Sequence, residues 1–537
     1  METLTESFWP ADQSVPVLET TVGGVLRDAA ARHGGSDALV EGTPDLPEDR
    51  RRWTFDDLLV DAERVAGALL QRFEPGERVA VWAPNIPEWV LLEFGAALAG
   101  IVVVTVNPAY QPKELEYVLH QSGSAGIFLV PEFRGNPMAA SVEQVRARLP
   151  ELREVILFTE WDAFLATSQP SLQLPEVKPG DPVQIQYTSG TTGFPKGALL
   201  THRGLTNNSR YWALIADIRA GDTVVNPFPM FHTAGCAIGV LGALQAGACL
   251  VPVYAFEPGL MLELIEAERA QIALGVPTAL LALLECPDLA KRDLSSLRGV
   301  LSGGATVPAD LVKRIERDLG VQFSIIYGST ECSPIITQVR LDDEFRDKTE
   351  TLGRPTPQTD VKIVDPDTGE TLPCGAVGEL CARGYNVMIG YYEMPEQTAE
   401  AIDEEGWYHT GDLASMDDRG FLRIEGRLKD MIIRGGENIY PREIEDLLFE
   451  HPAVAEAAVV GVPDERWGES VAAFVRVAAG QTITSDELFT YCREHLAPHK
   501  TPRHWTFVDA FPMTASGKIQ KFILRDDFKP LDNQDGA

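Results

Sequence analysis

Apolar and polar positions alternate along the first part of the chain in a repeating order of helix and strand. Trp53–Phe73 carries apolar residues at the spacing of one helix face, and the short apolar run Arg78–Pro84 predicts a strand. Glu88–Tyr110 predicts a second helix, ended by Gly100 and followed by a β-branched strand, and Leu115–Val130 repeats the unit. Strands that are apolar on both faces predict a mostly parallel sheet covered by helices, which is an α/β fold.

The rest of the chain divides into further regions. Val155–Pro182 is rich in proline and predicts a connecting loop, after which the α/β pattern resumes. Asp360–Gly384 has short alternating strands and glycine-containing turns, which predict a small β-rich subdomain. We therefore predict a large N-terminal domain of layered, mostly parallel β-sheets with helices over residues 1–426. A small, mobile α+β C-terminal domain is predicted over residues 427–537.

Composition and charge narrow the class of protein. At 537 residues the chain is too long for one hydrophobic core, and 45% hydrophobic with 23% charged residues is typical of a soluble globular protein. The net charge of −33 excludes non-specific binding of nucleic acid and disfavours anionic lipid. An anionic ligand would therefore need a local group of positive charges.

The cysteines and apolar stretches predict a cytoplasmic protein. None of the seven cysteines forms a CxxC pair, and neither Cys374 nor Cys381 has histidines near it in the sequence at zinc-ligand spacing. Free thiols in a reducing compartment are expected. The acidic start lacks the apolar core of a secretory signal. Gly235–Phe256 is interrupted by Gln245 and by glycines, so it predicts a buried helix and strand rather than an integral membrane segment.

The stretch YTSGTTGFPKG, Tyr187–Gly197, has the composition of a loop that wraps phosphate. Its glycines let backbone N–H groups approach a ligand, its hydroxyls add donors, and Lys196 adds positive charge. The P-loop of NTPases needs Ser or Thr directly after the lysine, whereas Gly197 follows here. The stretch alone predicts a site for nucleotide phosphate.

Two later motifs suit the other parts of a nucleotide. IIYGSTEC, Ile325–Cys332, combines an aromatic residue that can stack on a base with two residues, Thr330 and Glu331, that offer oxygen atoms to Mg²⁺. YHTGDL, Tyr408–Leu413, carries Asp412 in a predicted turn, where its carboxylate could accept hydrogen bonds from ribose. By itself, each of these short motifs is explained better by ordinary turn chemistry.

Two more motifs complete an ordered set. GRLKDMIIRGGENIYPREIE starts at Gly426 and places Arg427 and Lys429 where the C-terminal domain begins, and PMTASGKIQK places Lys518 in a loop near the end. In this order, the motifs resemble the acyl-adenylate-forming superfamily of AMP-binding enzymes, which includes acyl-CoA synthetases, adenylation domains and beetle luciferases. The resemblance runs from Trp53 to Lys521 and is greatest to medium- and long-chain fatty acyl-CoA synthetases.

The resemblance implies an ATP site and its Mg²⁺. The residues implied for ATP are Thr188, Ser189, Gly190, Thr191, Thr192, Gly193, Lys196, Gly303, Gly304, Ala305, Tyr327, Gly328, Thr330, Asp412, Arg427 and Lys518. Thr188 and Glu331 would hold the metal, and both count with His232 and Lys518 as the implied catalytic residues. A lysine suits the place between a carboxylate and the α-phosphate, because its charge offsets the repulsion of two approaching anions.

The same resemblance implies the reaction and its co-substrates. A carboxylate and ATP form an acyl-AMP and pyrophosphate, and the thiol of CoA then forms the thioester and releases AMP. The C-terminal domain would rotate about a hinge at Lys429 and present Gly435, Gly436 and Glu437 to CoA. The expected partners are therefore a carboxylic acid, ATP and CoA, with no nucleic acid, and a homodimer is left open.

The acid is predicted from a few positions. His232 stands where amino-acid adenylating domains carry an aspartate, which excludes pairing with an ammonium group, although a packed core histidine is the alternative interpretation. Gly235 and Cys236 beside it are small and leave room for an apolar acid. Ile325 and Ile326 stand where many long-chain enzymes have a Gln/Glu-Gly pair, so a medium-chain, branched or aryl acid is expected.

Other functions stay open at this stage. Ile433 replaces the lysine that luciferases need, which argues against light emission. A repurposed adenylate-forming enzyme could use an amine, a carrier-protein thiol or nitrite in place of CoA, and all the ATP motifs would survive that change. A binding protein without activity is disfavoured, because the chain keeps four separated polar residues that suit one reaction: Glu331, Asp412, Arg427 and Lys518.

Overall fold

The computed structural model describes residues 3–169, 173–188, 195–305, 307–435, 437–464, 466–513 and 519–528. The strands in these ranges are β1 Phe8–Trp9, β2 Asp37–Val40, β3 Arg52–Thr54, β4 Arg78–Trp82, β5 Val102–Thr105, β6 Gly126–Leu129, β7 Glu154–Leu157, β8 Pro182–Thr188, β9 Lys196–Thr201, β10 Thr223–Asn226, β11 Cys249–Pro252, β12 Ile272–Leu274, β13 Gly299–Gly303, β14 Gln322–Gly328, β15 Ile335–Gln338, β16 Arg354–Pro355, β17 Thr359–Val364, β18 Gly378–Gly384, β19 Gly390–Tyr391, β20 Tyr408–Met416, β21 Leu422–Arg427, β22 Ile432–Arg434, β23 Glu437–Ile439, β24 Val454–Asp464, β25 Gly468–Val477 and β26 His504–Phe507.

The α-helices are α1 Val22–His33, α2 Phe55–Leu69, α3 Pro87–Ala99, α4 Pro112–Ser122, α5 Met138–Arg146, α6 Trp161–Leu165, α7 His202–Ile215, α8 Ala243–Gln245, α9 Pro258–Ala267, α10 Pro277–Leu284, α11 Ala309–Leu319, α12 Phe345–Glu350, α13 Pro395–Ala401, α14 Pro441–Phe449, α15 Ser485–His495 and α16 Lys521–Asp526. A π-helix covers Ala234–Gly242, and short 3-10 helices cover Pro47–Asp49, Phe158–Glu160, Leu289–Lys291, Thr330–Cys332 and Leu428–Asp430.

Two large sheets with parallel centres form most of the chain. The nine-stranded sheet A has the order β16-β15-β14-β13-β12-β10-β11-β2-β3, and the seven-stranded sheet B has the order β19-β9-β8-β5-β4-β6-β7. Pairing is parallel from β14 to β2 in sheet A and from β8 to β7 in sheet B. The largest core joins apolar residues of both sheets with helices α1, α2 and α3, and every residue of α3 is buried. The predicted parallel α/β architecture is confirmed.

The remaining two sheets are smaller. Sheet C is antiparallel in the order β1-β17-β18-β20-β21, which is the predicted β-rich subdomain. Sheet D contains β23-β22-β25-β24 with β26 beside β25, and together with α14 and α15 it encloses its own core around Ile432, Val459 and Leu488. The chain therefore ends in a separate α+β C-terminal domain, while the boundary after residue 426 stays a prediction.

Two local predictions from the sequence are wrong. The expected loop Val155–Pro182 begins with strand β7 and helix α6, because Phe158, Trp161 and Phe164 pack around the ring of Phe128. That tertiary contact is invisible in the local pattern. Asp412, expected in a turn, lies inside strand β20.

The apolar stretch Gly235–Phe256 follows the prediction. It forms most of the π-helix Ala234–Gly242, then α8, and then the buried strand β11. In the part of the chain that the structure describes, no helix is both long enough and apolar enough to cross a membrane.

Candidate active site

The predicted phosphate loop starts and ends on two paired strands. Thr188 at the end of β8 lies opposite Lys196 at the start of β9, and its Oγ1 donates a hydrogen bond to the carbonyl oxygen of Lys196 at 3.4 Å. Between these two strands, five of the predicted ATP residues fall outside the described ranges: Ser189, Gly190, Thr191, Thr192 and Gly193. The hairpin therefore holds the predicted threonine and lysine together at the base of the loop.

A tyrosine links this lysine to the predicted magnesium ligand. The Nζ atom of Lys196 lies 4.9 Å from the centre of the Tyr391 ring, within the range of a cation–π contact. The Tyr391 hydroxyl donates a hydrogen bond to Oε1 of Glu331 at 2.8 Å. Burial and the nearby Glu331 carboxylate raise the pKa of Tyr391, so its hydroxyl stays protonated and remains a donor.

Sequence reasoning missed Tyr391. It sits in strand β19, which pairs with β9 so that Tyr391 lies opposite Ala198. The sequence offers only a Gly-Tyr-Tyr run far from the phosphate motif, and no local pattern predicts that this strand joins sheet B. Strand pairing between distant segments brings the ring to Lys196.

Several predicted ATP residues lie at or just after the ends of the neighbouring parallel strands β13 and β14. Gly303 ends β13 beside Ile326 on β14, and a Cβ atom at Gly303 would lie 2.6 Å from the Ile326 carbonyl oxygen. A Cβ atom at Gly328 would lie 1.9 Å from the carbonyl oxygen of Pro334. These two glycines are required by backbone packing. Gly304 has a φ of +78° with no atom near its missing side chain, so it forms a turn towards open space together with the exposed Ala305.

The predicted ribose residues meet across two sheets. Tyr327, near the end of β14, donates a hydrogen bond from its hydroxyl to Oδ2 of Asp412 at 2.7 Å. Oδ1 of the same carboxylate lies 3.0 Å from Nε of Arg427, its partner on β21. The Asp412 charge raises the pKa of Arg427, and burial together with Asp412 raises the pKa of Tyr327. A hydrogen bond from Tyr327 and an ion pair with Arg427 therefore hold one buried carboxylate in place.

The segment from Tyr327 to Cys332 connects the Tyr327–Asp412 pair with the group of Glu331, Tyr391 and Lys196. Thr330 and Glu331 belong to the 3-10 helix Thr330–Cys332, which begins two residues after Gly328. Glu331 is only 7% exposed, and the Met388 N–H donates a hydrogen bond to its carbonyl oxygen at 2.8 Å. The tyrosine–aspartate pair and the glutamate–tyrosine–lysine group thus share one short segment at the carboxyl edge of sheet A. Ligands of α/β proteins bind at this edge.

His232 lies where the chain enters the π-helix. Its carbonyl oxygen accepts the Gly235 N–H at 2.8 Å, and its Nδ1 accepts the Ala234 N–H at 3.2 Å. Accepting at Nδ1 places the proton of the neutral ring on Nε2. A Cβ atom at Gly235 would lie 2.2 Å from the Pro229 carbonyl oxygen, so this turn requires glycine.

Cys236 is fully buried beside a polar chain. Gln186 donates a hydrogen bond from Nε2 to its sulfur at 3.1 Å and a second one to Oε1 of Gln184 at 2.7 Å. Gln184 in turn donates to the buried Glu93 at 2.6 Å. Burial raises the pKa values of the Cys236 thiol and of the Glu93 carboxyl, so it favours the uncharged form of both groups.

The two isoleucines predicted for the acyl pocket do not face the same side. Consecutive residues of a strand point to opposite faces. Ile325 packs in the core that contains Val300 and Phe323, whereas Ile326 packs against the core that contains Cys236. Of the two, only Ile326 therefore lies on the side of the π-helix.

The predicted hinge and CoA residues lie just before and just after strand β22 of sheet D. Lys429 is in the 3-10 helix that follows β21, and burial lowers its pKa. Gly435 has a φ of +62°, and its N–H donates to the carbonyl oxygen of Trp467 at 2.8 Å. Glu437 begins β23 opposite Arg434. Gly436 and Lys518 lie outside the described residues.

Comparison with known proteins gives consistent matches. The model of the AMP-binding enzyme family matches residues 26–392, and that of the AMP-binding enzyme C-terminal domain matches residues 443–518. The chain is similar to YngI of Bacillus subtilis, named as an acyl-CoA synthetase, with 40% identity over 541 residues that cover 95% of this chain and 97% of YngI. It is also similar to the mitochondrial medium-chain acyl-CoA ligase ACSF2 of Danio rerio, with 38% identity over 555 residues that cover 98% of this chain and 91% of ACSF2.

A solved structure agrees over the whole fold. The crystal structure of ATP-bound MatB from Rhodopseudomonas palustris superposes with a TM-score of 0.86 at 29% identity, covering 94% of this chain and 99% of MatB. The similarity therefore includes both the large domain and the C-terminal domain.

Proposed function

As a member of the AMP-binding enzyme family, the chain is an ATP-dependent acid–CoA ligase, and we propose that its substrate is a medium-chain, branched or aryl carboxylic acid. The observation that carries the proposal is the convergence of two clusters on one segment. Tyr327 holds the Asp412 carboxylate for ribose, and a few residues later Glu331 contacts Tyr391 beside Lys196. This arrangement supplies partners for ribose and phosphate at one sheet edge.

The residues near the phosphates fit a divalent cation. The Thr188 hydroxyl and the Glu331 carboxylate are oxygen ligands of the kind that Mg²⁺ prefers. The Tyr391 hydroxyl binds one oxygen of Glu331 and thereby orients the carboxylate. When bound, Mg²⁺ neutralises charge on the departing pyrophosphate. Lys196 adds a positive charge at the base of the loop, which a chain of net charge −33 needs in order to attract ATP.

The acid is activated by residues on both domains. We assign Lys518 the role of stabilising the charge that develops between carboxylate and α-phosphate, as the sequence predicts. His232, whose ring carries its proton on Nε2, is a donor for the carboxylate end of the acid. The C-terminal domain then rotates about Lys429. This rotation withdraws Lys518 from the acyl-AMP and brings the region of Gly435 to it, where the CoA thiol attacks.

The size of the acid is set by the side of sheet A that faces the π-helix. Ile326 adds a branched side chain there, and the buried Cys236 lies in the same core. A branched residue reduces the depth available to a straight acyl chain. The name of ACSF2 supports a medium-chain acid.

Product analysis by mass spectrometry tests this function. The full-length protein is incubated with Mg·ATP, CoA and a pool of fatty, branched and aryl acids. We expect a CoA thioester of a medium-chain, branched or aryl acid together with AMP, abolished in Lys518→Ala but retained in the control Lys521→Ala, which removes a lysine that pairs with Glu445 in the C-terminal domain. Release of AMP and pyrophosphate without a thioester would overturn the CoA step, and a preference for long-chain acids would overturn the assigned substrate.

A further inference from the structure

Sheet C brings together a glutamate, a cysteine and a histidine, none of which is among the predicted ATP residues. Cys381 on β18 is the direct cross-strand partner of His409 on β20, and Glu379 precedes the cysteine by two residues on the same face. The distance from His409 Nδ1 to Glu379 Oε2 is 2.8 Å and to Cys381 Sγ is 3.5 Å. All three atoms lie within 4.8 Å of one another. Strand pairing therefore gives Cys381 a histidine neighbour that is distant from it in the sequence.

The three atoms surround a common point rather than form a hydrogen-bonded chain. Sulfur and carboxylate oxygen both face the same ring nitrogen, Nδ1 of His409, which has one proton at most. A Cys-His-Glu nucleophile would need the cysteine and the carboxylate on different ring nitrogens, so that interpretation fails. Ligands around a metal ion, in contrast, all face one centre.

The distances suit a small tetrahedral ion. With a Zn–S bond of about 2.3 Å and Zn–N and Zn–O bonds of about 2.0 Å, a tetrahedral site separates sulfur from nitrogen by about 3.5 Å and nitrogen from oxygen by about 3.3 Å. The sulfur–nitrogen distance of 3.5 Å matches the first value. The nitrogen–oxygen distance of 2.8 Å corresponds to a shared proton, which a metal ion replaces after an opening of about 0.5 Å.

A second carboxylate, that of Asp403, lies near the other ring nitrogen of His409. Oδ2 of Asp403 lies 3.6 Å from Nε2 of His409, the nitrogen that faces away from the cysteine. The other oxygen of Glu379, Oε1, accepts the N–H of Gly411 at 3.0 Å. Metal-binding histidines commonly have such a carboxylate on the far nitrogen, and metal-binding carboxylates are themselves held by hydrogen bonds. These outer contacts orient both side chains towards the common point.

The charges near the three side chains and the types of their ligand atoms indicate which metal ion they would bind. Lys362 lies opposite Cys381 on β17, and its Nζ is 4.3 Å from the centre of the Trp407 ring, while the Arg383 guanidinium is 4.4 Å from the same ring. A group of one carboxylate, one thiol and one imidazole offers too few oxygen ligands for a hard cation such as Mg²⁺ or Ca²⁺, whereas sulfur and nitrogen ligands suit zinc. The Lys362 charge partly offsets the burial that raises the pKa of the Cys381 thiol.

We propose that Glu379, Cys381 and His409 bind one zinc ion, with water as the fourth ligand. The His409 side chain is 30% exposed and provides the path from solvent, whereas Cys381 is fully buried. The ion joins β18 to β20 beside the irregularity in their pairing, which lies between Glu379 and Cys381. Binding at this place ties together two strands of the subdomain that carries Asp412, so zinc raises the thermal stability of the protein.

Metal binding to the full-length protein tests the proposal without reference to its activity. Protein treated with a chelator and then freed of it is titrated with Co²⁺, and the bound Co²⁺ is displaced with Zn²⁺. We expect one equivalent to bind, with the visible bands of a tetrahedral site and a near-ultraviolet sulfur-to-cobalt charge-transfer band. The control Cys374→Ser, which changes a half-buried cysteine of the same region, keeps that band, and Cys381→Ser loses it.

His409→Asn provides the second variant, because its partly exposed side chain is easier to replace than the buried cysteine. We expect its affinity for Zn²⁺, measured by competition with a coloured chelator, to fall by at least about 100-fold. The melting temperature of the wild type rises with Zn²⁺ but not with Mg²⁺, and that of His409→Asn changes with neither. Absence of stoichiometric binding to the wild type, or a charge-transfer band that persists in Cys381→Ser, would overturn the site.

Discussion

Tyr327 donates a hydrogen bond to Asp412 at 2.7 Å, although 85 positions separate them in the sequence. Tyr327 belongs to β14 of sheet A, and Asp412 belongs to β20 of sheet C. Asp412 is 8% exposed, so the hydroxyl and the Arg427 guanidinium are its main partners among the described residues. The strand that borders the predicted adenine position therefore also positions the predicted ribose ligand.

Replacing Tyr327 with Phe removes this donor and keeps the ring. Hydrogen bonds to a charged group contribute about 1.5–3 kcal/mol, so we expect the KM for ATP to rise by about 10-fold or more. Steady-state kinetics with a fixed acid measures the change. The matched control is Tyr254→Phe, whose ring packs on Phe133 and not on the site residues. An unchanged KM for ATP in Tyr327→Phe would show that Asp412 does not depend on this bond for its position.

Two substitutions of Tyr391 separate its two contacts. Tyr391→Phe removes the hydrogen bond to Glu331 but keeps a ring beside Lys196, whereas Tyr391→Leu removes both. If Glu331 helps to hold Mg²⁺, the phenylalanine variant needs about 3- to 10-fold more Mg²⁺ for half-maximal pyrophosphate release. The leucine variant in addition shows a weaker affinity for ATP. Identical Mg²⁺ titrations of the wild type and the phenylalanine variant would contradict the role given to Tyr391.

The two isoleucines of β14 are expected to behave differently. Ile326→Ala removes bulk on the side of the π-helix and is expected to shift the preference for acids towards longer chains. Ile325→Ala leaves a cavity in the opposite core and lowers the free energy of unfolding by about 2–5 kcal/mol without changing the preferred acid. A panel of straight-chain acids and urea denaturation give the two readouts. A shift in acid preference caused by Ile325→Ala instead would place the acyl pocket on the other face of sheet A.

His202 makes the stability depend on pH. Burial lowers its pKa from 6.5 to about 4, and its Nδ1 accepts the Val22 N–H at 3.2 Å. Between these two values the unfolded chain binds a proton that the folded protein does not, so stability falls as the pH drops through this window. Above pH 6.5 both states are neutral and this contribution is fully present. The slope attributable to one group is at most about 1.4 kcal/mol per pH unit.

Urea denaturation of the wild type and of His202→Gln at pH 7.5 and pH 5 measures this dependence. The glutamine offers an acceptor for the Val22 N–H but does not titrate. We expect the difference in unfolding free energy between the two pH values to be smaller in the variant by about 1–2 kcal/mol. Equal differences in both proteins would mean that His202 takes up its proton in the folded state as well.

Local patterns in the sequence predicted the architecture and the family of the protein. The spacing of apolar residues within α2 and α3 and the apolar runs of β4 and β5 depend on neighbours along the chain, so they are visible without a structure. The phosphate-loop composition and the ordered motifs are equally local, and they led to the family that the comparisons established. Secondary structure type and motif order need no knowledge of which segments meet.

Only the tertiary structure decided which distant residues meet. Strand pairing placed Tyr391 beside Lys196 and His409 beside Cys381, and the contact between two sheets placed Tyr327 on Asp412. It also put Asp412 inside a strand and separated Ile325 from Ile326 on opposite faces. The physical reason is that register and sheet order arise from the burial of surfaces contributed by many segments at once, and no single segment of the sequence contains that information.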